Sequence, residues 1–208
     1  PAYVAVDPRG GVLARWTRAQ PPAAWVAQAE RATTPYARLV AFEHLGRQKA
    51  TPGAVAVLGA ALKTDLHPRY RGKAAEALGA LGTPEALAAL APALEDPDER
   101  VRADALTSLG RFPVSQASLR ALRAGLSDDS AHVRGAAVAA MATHDPGRGV
   151  RAARRSVERE DESRRRWEHA AAVAVLGEHG EAEDAERLGR LFFSRRTPSR
   201  LLSSAVKA

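Results

Sequence analysis

The chain has 208 residues, of which 45% are hydrophobic and 5% aromatic, and its formal net charge is +7. The apolar residues suffice for a packed core, and the abundance of Ala and Leu favours packed helices over a sheet rich in Val, Ile and Tyr. No cysteine is present, which excludes disulfides and thiolate chemistry; this does not fix the compartment, for which the cytoplasm is favoured.

Residues 1–20 differ from the rest of the chain. β-prone residues on both sides of the turn-forming run Asp7 to Gly11 (DPRGG) predict a short β-hairpin. Because a lone hairpin is marginally stable in water, we expect it to be the remainder of an upstream β-sandwich. The chain also opens on Pro1 without Met and stops at Ala208 inside a predicted helix, so we expect a piece of a longer protein.

From residue 21 to residue 208 the pattern is helical and repeats about every thirty residues. One phrase recurs five times, at Arg38 to Gly46, Arg71 to Gly79, Arg102 to Gly110, Arg134 to Ala142 and His169 to Gly177. A fixed period of this length is typical of a stacked-repeat solenoid, which offers a long surface to a partner. We therefore expect an all-α fold, a right-handed α-solenoid of about six helix pairs that follows the short N-terminal β-hairpin.

The first helix of each pair is predicted from apolar spacing and start signals. These helices cover Pro22 to Arg31, Pro52 to Lys63, Pro84 to Leu94, Ser115 to Leu126, Gly147 to Arg159 and Ala182 to Ser194. Three begin at Pro, which suits the first helical position because its missing N–H would be unpaired there. Thr83 should cap the third helix, and Pro92 should bend it or free a turn of its backbone.

The second helix of each pair carries the repeated phrase. Its predicted core residues are Leu45, Leu78, Leu109, Met141 and Leu176. The glycines near the helix end should be C-caps or points of close packing; they are Gly46, Gly79, Gly110 and Gly177.

In four of the second helices, the Arg at the start of the helix has an acidic residue six positions before it. The pairs are Asp65 and Arg71, Asp96 and Arg102, Asp128 and Arg134, and Glu160 and Arg166. The acid lies in the turn, where Asp accepts backbone N–H bonds, and the Arg can reach it or the acid of the next repeat. We interpret the pattern as a ladder of caps and ion pairs between stacked units; the alternative is an Arg-lined ligand groove.

Metal and catalytic motifs are absent from the sequence. Three of the six histidines follow Glu directly, but the H-E-x-x-H spacing that places two zinc ligands on one helix face does not occur. G-x-S-x-G, P-loop and G-x-G-x-x-G motifs are also missing. We expect no catalytic residue, metal or cofactor here and interpret the histidines as surface or packing residues: His44, His67, His132, His144, His169 and His179.

The stretch from Gly147 to Arg166 is rich in Arg and is the candidate for nucleic acid, because clustered Arg neutralises phosphates. Four acids lie inside it and one Trp follows, whereas nucleic-acid solenoids spread cations and stacking aromatics along one face. A solvated helix pair with internal salt bridges is favoured, and nucleic acid is the weaker alternative. No apolar run approaches the roughly 18 residues of a membrane span, so no membrane partner is expected.

The Leu-Gly that closes the second helix, with D-x-x-x-x-V/Y-R before it, resembles HEAT-type repeats. The matching segments are Asp65 to Arg71, Asp96 to Arg102 and Asp128 to Arg134. The resemblance extends from residue 21 to about residue 208 and implies the fold rather than a function.

The first residues resemble a junction in zinc aminopeptidases of the aminopeptidase N-like family. There a small β-sandwich ends in V-x-x-D-P-x-G-x-x-L and a helical repeat domain follows; the matching residues are Val4, Asp7, Pro8, Gly10 and Leu13. The resemblance implies that the parent protein is a zinc-dependent, HExxH-type exopeptidase whose catalytic domain and Zn lie upstream. None of the family's catalytic residues falls on this chain.

This resemblance leads to the hypothesis of a non-catalytic C-terminal domain that walls the substrate chamber and limits peptide access. Its partners would be its own upstream catalytic and β-sandwich domains and peptide substrates. Candidate contact residues lie on second helices and point away from the core: Glu43, Arg47, Lys73, Glu76, Asp104 and Arg111. The alternatives are a free-standing HEAT-repeat protein-binding scaffold and a nucleic-acid-binding solenoid.

Overall fold

The computed structural model describes residues 20–48, 51–65, 67–158 and 166–193. These residues form eleven α-helices and one short 3-10 segment, and no strand occurs among them. The predicted hairpin around Asp7 to Gly11 lies outside this part of the chain. The end of the predicted helical repeat region, residues 194–208, also lies outside it. The chain divides into two compact units, Pro1–Phe112 and Pro113–Ala208.

The first unit contains six helices and the 3-10 segment. In chain order they are α1 (Pro22–Arg31), α2 (Pro35–Arg47), α3 (Ala54–Thr64), α4 (Pro68–Leu81), α5 (Pro84–Leu90), the 3-10 segment (Ala91–Glu95) and α6 (Glu99–Leu109). The first helices α1, α3 and α5 form one layer, and the second helices α2, α4 and α6 form the other. This is the predicted two-layer arrangement of helix pairs.

The second helices of this unit run parallel to one another. Near the start of α4, Gly72 contacts Asp104 of α6, and near its end a Cβ on Gly79 would lie 2.6 Å from the Ser108 Cβ. A Cβ on Gly46 of α2 would likewise lie 3.0 Å from the Ala77 Cα of α4. The predicted close packing at Gly46 and Gly79 is thus confirmed.

The second unit contains the remaining five helices. They are α7 (Gln116–Gly125), α8 (Ala131–His144), α9 (Pro146–Glu158), α10 (Arg166–His179) and α11 (Ala182–Phe193). Its core lies among α8, α9 and α10, where Val138, Ala153, Val173 and Leu176 pack together. Gly149 allows the α9 backbone to lie directly against Ala142.

Helix starts and ends follow the sequence signals with one correction. Pro52 was predicted to open the second of the first helices, but α3 begins at Ala54 because Gly53, with φ of 83°, occupies the N-cap in the left-handed region. Gly177 lies two residues before the end of α10 at His179, near the helix end as predicted. Thr83 accepts the Ala86 N–H at 3.2 Å and caps α5 as predicted.

Pro92 has the effect predicted for it. α5 ends at Leu90, and the chain continues as the 3-10 segment Ala91–Glu95. Proline has no N–H to donate into an α-helix, and the tighter 3-10 turn accommodates the loss.

The five predicted core residues of the second helices are all buried. Leu45, Leu78, Leu109, Met141 and Leu176 are at most 4% exposed. They anchor the second-helix layer, so the opposite face of each second helix is available for other contacts. Within the described residues no helix is both long and apolar enough to cross a membrane.

Candidate functional site

Arginines of the second helices bind acids of the following repeat in the first unit. Arg38 donates to both carboxylate oxygens of Asp65, at 2.5 and 3.0 Å. Arg71 does the same to Asp96, at 2.6 and 2.8 Å, and also donates to the main-chain carbonyl of Asp65 at 2.9 Å. Each of these Arg–Asp pairs fixes one second helix to the loop that precedes the next.

The Arg38 guanidinium has apolar neighbours as well. It lies 5.5 Å from the Phe42 ring centroid and 5.6 Å from that of Tyr70. Arginine stacks on aromatic faces through cation–π attraction, so this pair combines charge with packing.

The second unit contains two comparable pairs. Arg134 donates to Glu168 at 2.8 Å and to the main-chain carbonyl of Asp128 at 2.8 Å. Arg154 donates to both oxygens of Asp184, each at 2.8 Å. The predicted pair of Glu160 and Arg166 cannot be described, because Glu160 and the Arg166 side chain lie outside the described residues. The acid that pairs with Arg134, Glu168 in the first turn of α10, was not predicted.

Within each repeat the Arg reaches the main chain of the predicted acid. Arg71, Arg102 and Arg134 donate to the main-chain carbonyls of Asp65, Asp96 and Asp128. This leaves the carboxylates to cap turns, as Asp96 and Asp128 do for the N–H groups of residues 98 and 130. At the described positions, turn caps and Arg hydrogen bonds thus occur together, with main-chain carbonyls as acceptors within a repeat.

These contacts shift the pKa values of two acids. Burial acts to raise the pKa of Asp96, but the hydrogen bonds from Arg71 and from the Asp98 N–H outweigh it, so the pKa is lowered. The hydrogen bond from Arg154 is the main cause of the lowered pKa of Asp184. Both carboxylates are therefore ionised at neutral pH.

A groove of about 530 Å³ lies on the outer face of the second helices of the first unit. We name it the α2–α4 groove. From α2 it is lined by Tyr36, Leu39, Val40, Glu43, Gly46 and Arg47. From α4 come Arg69, Lys73, Glu76, Ala77 and Ala80, and Arg111 follows α6.

The groove has an apolar floor and a charged border. Leu39, Val40, Ala77 and Ala80 supply the floor, and Tyr36 is 46% exposed beside it. Exposed aromatic surface next to aliphatic groups is typical of sites that bind another molecule.

Two ion pairs lie along the border. Arg47 binds Glu43 at 2.5 Å on α2, and Lys73 binds Glu76 on α4. All four side chains are at least 40% exposed, so these pairs contribute little to stability and can rearrange when a ligand arrives.

Five of the six predicted contact residues line this one groove. They are Glu43, Arg47, Lys73, Glu76 and Arg111. Asp104 does not, because its carboxylate lies against Gly72, where any Cβ would collide with it. Four further lining residues were not predicted. Tyr36 and Leu39 lie seven and four residues before Glu43, and Arg69 and Ala80 lie four residues before and seven after Lys73, so they share the same helix faces.

Two of the histidines take packing and capping positions. His44 stacks on Trp25 with ring centroids 3.9 Å apart, and burial, aided by the nearby charge of Arg47, lowers its pKa. His67 caps α4 by accepting the Arg69 N–H at 3.1 Å. Among the described residues no group of three or more His, Cys, Asp or Glu could hold a metal ion.

The described part of the Arg-rich stretch is engaged in salt bridges. In α9 and the loop before it, Arg148 binds Asp145 at 3.0 Å and Arg154 binds Asp184 of α11. Glu158 at the end of α9 accepts from Arg187 at 2.7 Å. These three salt bridges join the stretch to residues outside it, so they do not test the interpretation of salt bridges internal to the stretch, and residues 159–165 lie outside the described part.

Comparison with known proteins identifies the repeat. Among solved structures, a chain of the complex of CpcE and CpcF of phycocyanin lyase from Nostoc sp. PCC7120 is similar, with a TM-score of 0.47 and 20% identity over 95% of this chain and 98% of that chain. No curated protein matches the sequence. The family profile described as HEAT repeats matches residues 22–110 and 87–174, more than half of the chain. The chain therefore belongs to the HEAT-repeat family.

Proposed function

We propose that the chain is a HEAT-repeat scaffold that binds a segment of another protein in the α2–α4 groove. The observation that carries this proposal is the groove itself, about 530 Å³ with an apolar floor, an exposed Tyr36 and a border of charged side chains. Protein interfaces combine an apolar centre with a polar rim in the same way, and Tyr is enriched at their energetic centres.

The helices that form the groove are held in place before any ligand arrives. Arg38 and Arg71 fix α2 and α4 to the loops of the following repeats through two-fold hydrogen bonds. A rigid site loses less conformational entropy on binding than a flexible one, which favours affinity for a flexible peptide.

The carboxylates of the groove suit recognition better than catalysis. Glu43 and Glu76 are 57% and 40% exposed and paired with Arg47 and Lys73. A general acid or base at neutral pH usually needs a desolvated carboxylate whose pKa lies near the working pH. Two exposed and ion-paired glutamates favour a binding role.

The hypothesis of a zinc aminopeptidase C-terminal domain stays a prediction. The residues that carry it, Val4 to Leu13, lie outside the described part of the chain, and the family match concerns HEAT repeats alone. In that setting the bound segment would be the parent's own substrate or catalytic domain. An H-E-x-x-H motif encoded upstream of Pro1 would support it, and its absence from the whole gene would contradict it.

The scaffold function is tested by selecting ligands from a phage-displayed library of random peptides against the full chain. Selected peptides should bind wild type and lose about tenfold or more in affinity for Ala80→Trp, because the indole occupies the floor of the groove. Fluorescence anisotropy with labelled peptides measures the affinities, and circular dichroism checks that each variant is folded.

The matched control is Ala60→Trp, an exposed alanine on α3 outside the groove, which should leave affinity unchanged. Tyr36→Ala provides a milder second variant because Tyr36 is half exposed and its removal leaves the core intact. A library that yields no peptide sensitive to Ala80→Trp or Tyr36→Ala would contradict the proposed function.

A further inference from the structure

The α2–α4 groove has an excess of positive charge that its own acids do not neutralise. Among the described residues, four cations line it, namely Arg47, Arg69, Lys73 and Arg111, against Glu43 and Glu76. Arg47 and Lys73 are paired with those two acids. Arg69 and Arg111 form no salt bridge with any described residue.

These two arginines border opposite ends of the apolar floor. α2, α4 and α6 are parallel, so Tyr36 and Arg69, at the helix starts, lie at one end of the groove. Ala80 near the end of α4 and Arg111 after α6 lie at the other, consistent with the contact between Gly79 and Ser108. Eleven helical residues separate Arg69 from Ala80, which corresponds to roughly 16 Å along the helix.

The floor between the arginines is apolar. An extended peptide advances about 3.3 Å per residue, so roughly five residues span the length of α4 from Arg69 to Ala80. Carboxylates at both ends of such a segment would reach Arg69 and Arg111, and a side chain between them would contact Leu39, Val40 and Tyr36.

Resting on the proposed function, we infer that the occupant of the groove is an acidic protein segment. One or more apolar side chains of this segment contact the floor, and carboxylates on either side bind Arg69 and Arg111. Arg recognises carboxylates through paired hydrogen bonds, as Arg38 and Arg71 already do elsewhere in this unit.

Nucleic acid fits the groove less well than an acidic peptide. Glu43 and Glu76 lie between the two ends and would repel a continuous row of phosphates. In the described part of the chain, Tyr36 is the single aromatic residue lining the groove, whereas single-strand binders stack successive bases on several aromatic side chains.

The test uses the full chain and the peptides whose binding depends on the groove. The peptides lost with Ala80→Trp should be enriched in Asp and Glu on both sides of an apolar residue. A fluorescein-labelled synthetic peptide of that pattern should bind at least about tenfold more tightly than its Asn and Gln analogue, and its affinity should fall as salt rises from roughly 50 to 500 mM.

Charge reversal locates the interaction. The double variant Arg69→Glu with Arg111→Glu should lose about tenfold or more in affinity for the acidic peptide. The matched control is Arg31→Glu with Lys63→Glu, which makes the same charge change at exposed positions in the last turns of α1 and α3, and it should change affinity by less than about threefold.

Three results would overturn the inference. Groove-dependent peptides that are neutral or basic would leave the scaffold function standing but refute an acidic occupant. Equal loss of affinity in the two double variants would show a general charge effect. A labelled oligothymidylate that binds more tightly than the peptide and competes with it would assign the groove to nucleic acid.

Discussion

The Asp96 carboxylate connects its own loop to α4 and to the start of α6. It accepts two hydrogen bonds from Arg71 of α4 and one from the Asp98 N–H, just before α6. Its side chain is only 6% exposed and that of Arg71 only 13%. Removing one partner of a nearly buried pair leaves the other desolvated without compensation, which costs more than the pair itself contributes.

Asp96→Asn should therefore destabilise the protein by about 2 kcal/mol near neutral pH, below the largest values for buried pairs because Arg71 keeps some solvent contact. Urea denaturation followed by circular dichroism measures this change. The control is Glu99→Gln, an exposed acid in the first turn of α6, which should change stability by less than about 0.5 kcal/mol.

The effect of Asp96→Asn should depend on pH. The folded-state pKa of Asp96 is lowered, so its ionised form stabilises the fold above the unfolded-state pKa of about 3.9. That contribution is lost as pH falls through the lower folded-state value. The difference in melting temperature between wild type and variant should therefore shrink below about pH 4, and a constant difference down to pH 2.5 or so would contradict this account.

At this scale the sequence pattern predicted which residue types form the ladder, but not every partner. The ion pairs connect residues 27, 25, 34 and 30 positions apart. The spacing varies because the loops differ in length, so a fixed spacing of six residues could not identify Glu168. The acceptor atoms were also not predictable, because a sequence does not show whether an Arg donates to the main-chain carbonyl or to the carboxylate of an Asp.

Glycines of the second helices set the distance between neighbouring helices. At Gly79 a Cβ would come within 2.6 Å of the Ser108 Cβ and 3.0 Å of its Cα. The neighbouring atoms include backbone, which cannot move away as a flexible side chain could. α4 and α6 therefore approach one another only because this position lacks a side chain.

Gly79→Ala should destabilise the protein by roughly 1–2 kcal/mol, because overpacking costs more than the helix propensity that Ala gains. Gly59→Ala in α3 is the matched control. Its added methyl would lie 3.4 Å from the Ala89 Cβ, an ordinary contact, so it should be neutral or stabilising by up to about 1 kcal/mol. Urea midpoints of the two variants give the comparison, and equal stabilisation by both would contradict a tight α4–α6 contact.

Helix positions were largely predictable from the sequence because capping residues and proline act locally. Pro22 and Pro84 open their helices as predicted, and Pro92 coincides with the change to 3-10 geometry. The prediction that α3 begins at Pro52 was wrong, because Gly53 with its positive φ is the N-cap and the helix begins two residues later, at Ala54. A backbone conformation of this kind is permitted by glycine but not required by it, so the sequence alone does not decide it.

At the scale of the whole molecule, the chain divides at Phe112 and Pro113 into two compact units. This division was not predicted from the sequence, because the thirty-residue repeat continues across residues 112 and 113. All residues that line the α2–α4 groove belong to the first unit. The groove itself was predicted only in part, because charged positions stand out on a helix while the apolar floor resembles core in sequence.

A protein of residues 1–112 should fold alone and bind the groove-dependent peptides within about threefold of the full chain, because local contacts dominate helical repeats. Circular dichroism and anisotropy measure both properties. Residues 113–208 form the natural control and should not bind these peptides. Equal binding by this second half, or loss of binding by a folded first half, would place the site elsewhere.

The alternation of one arginine and one aspartate per repeat would allow further repeats to be inserted. Arg38 reaches Asp65, and Arg71 reaches Asp96, so both of these junctions in the first unit use an Arg donor and an Asp acceptor. A tandem duplication of residues 51–82 would offer a matching aspartate to the original Arg71 and a matching arginine to Asp96. The first unit is therefore extensible by whole modules, and each added module would lengthen its binding face by one helix.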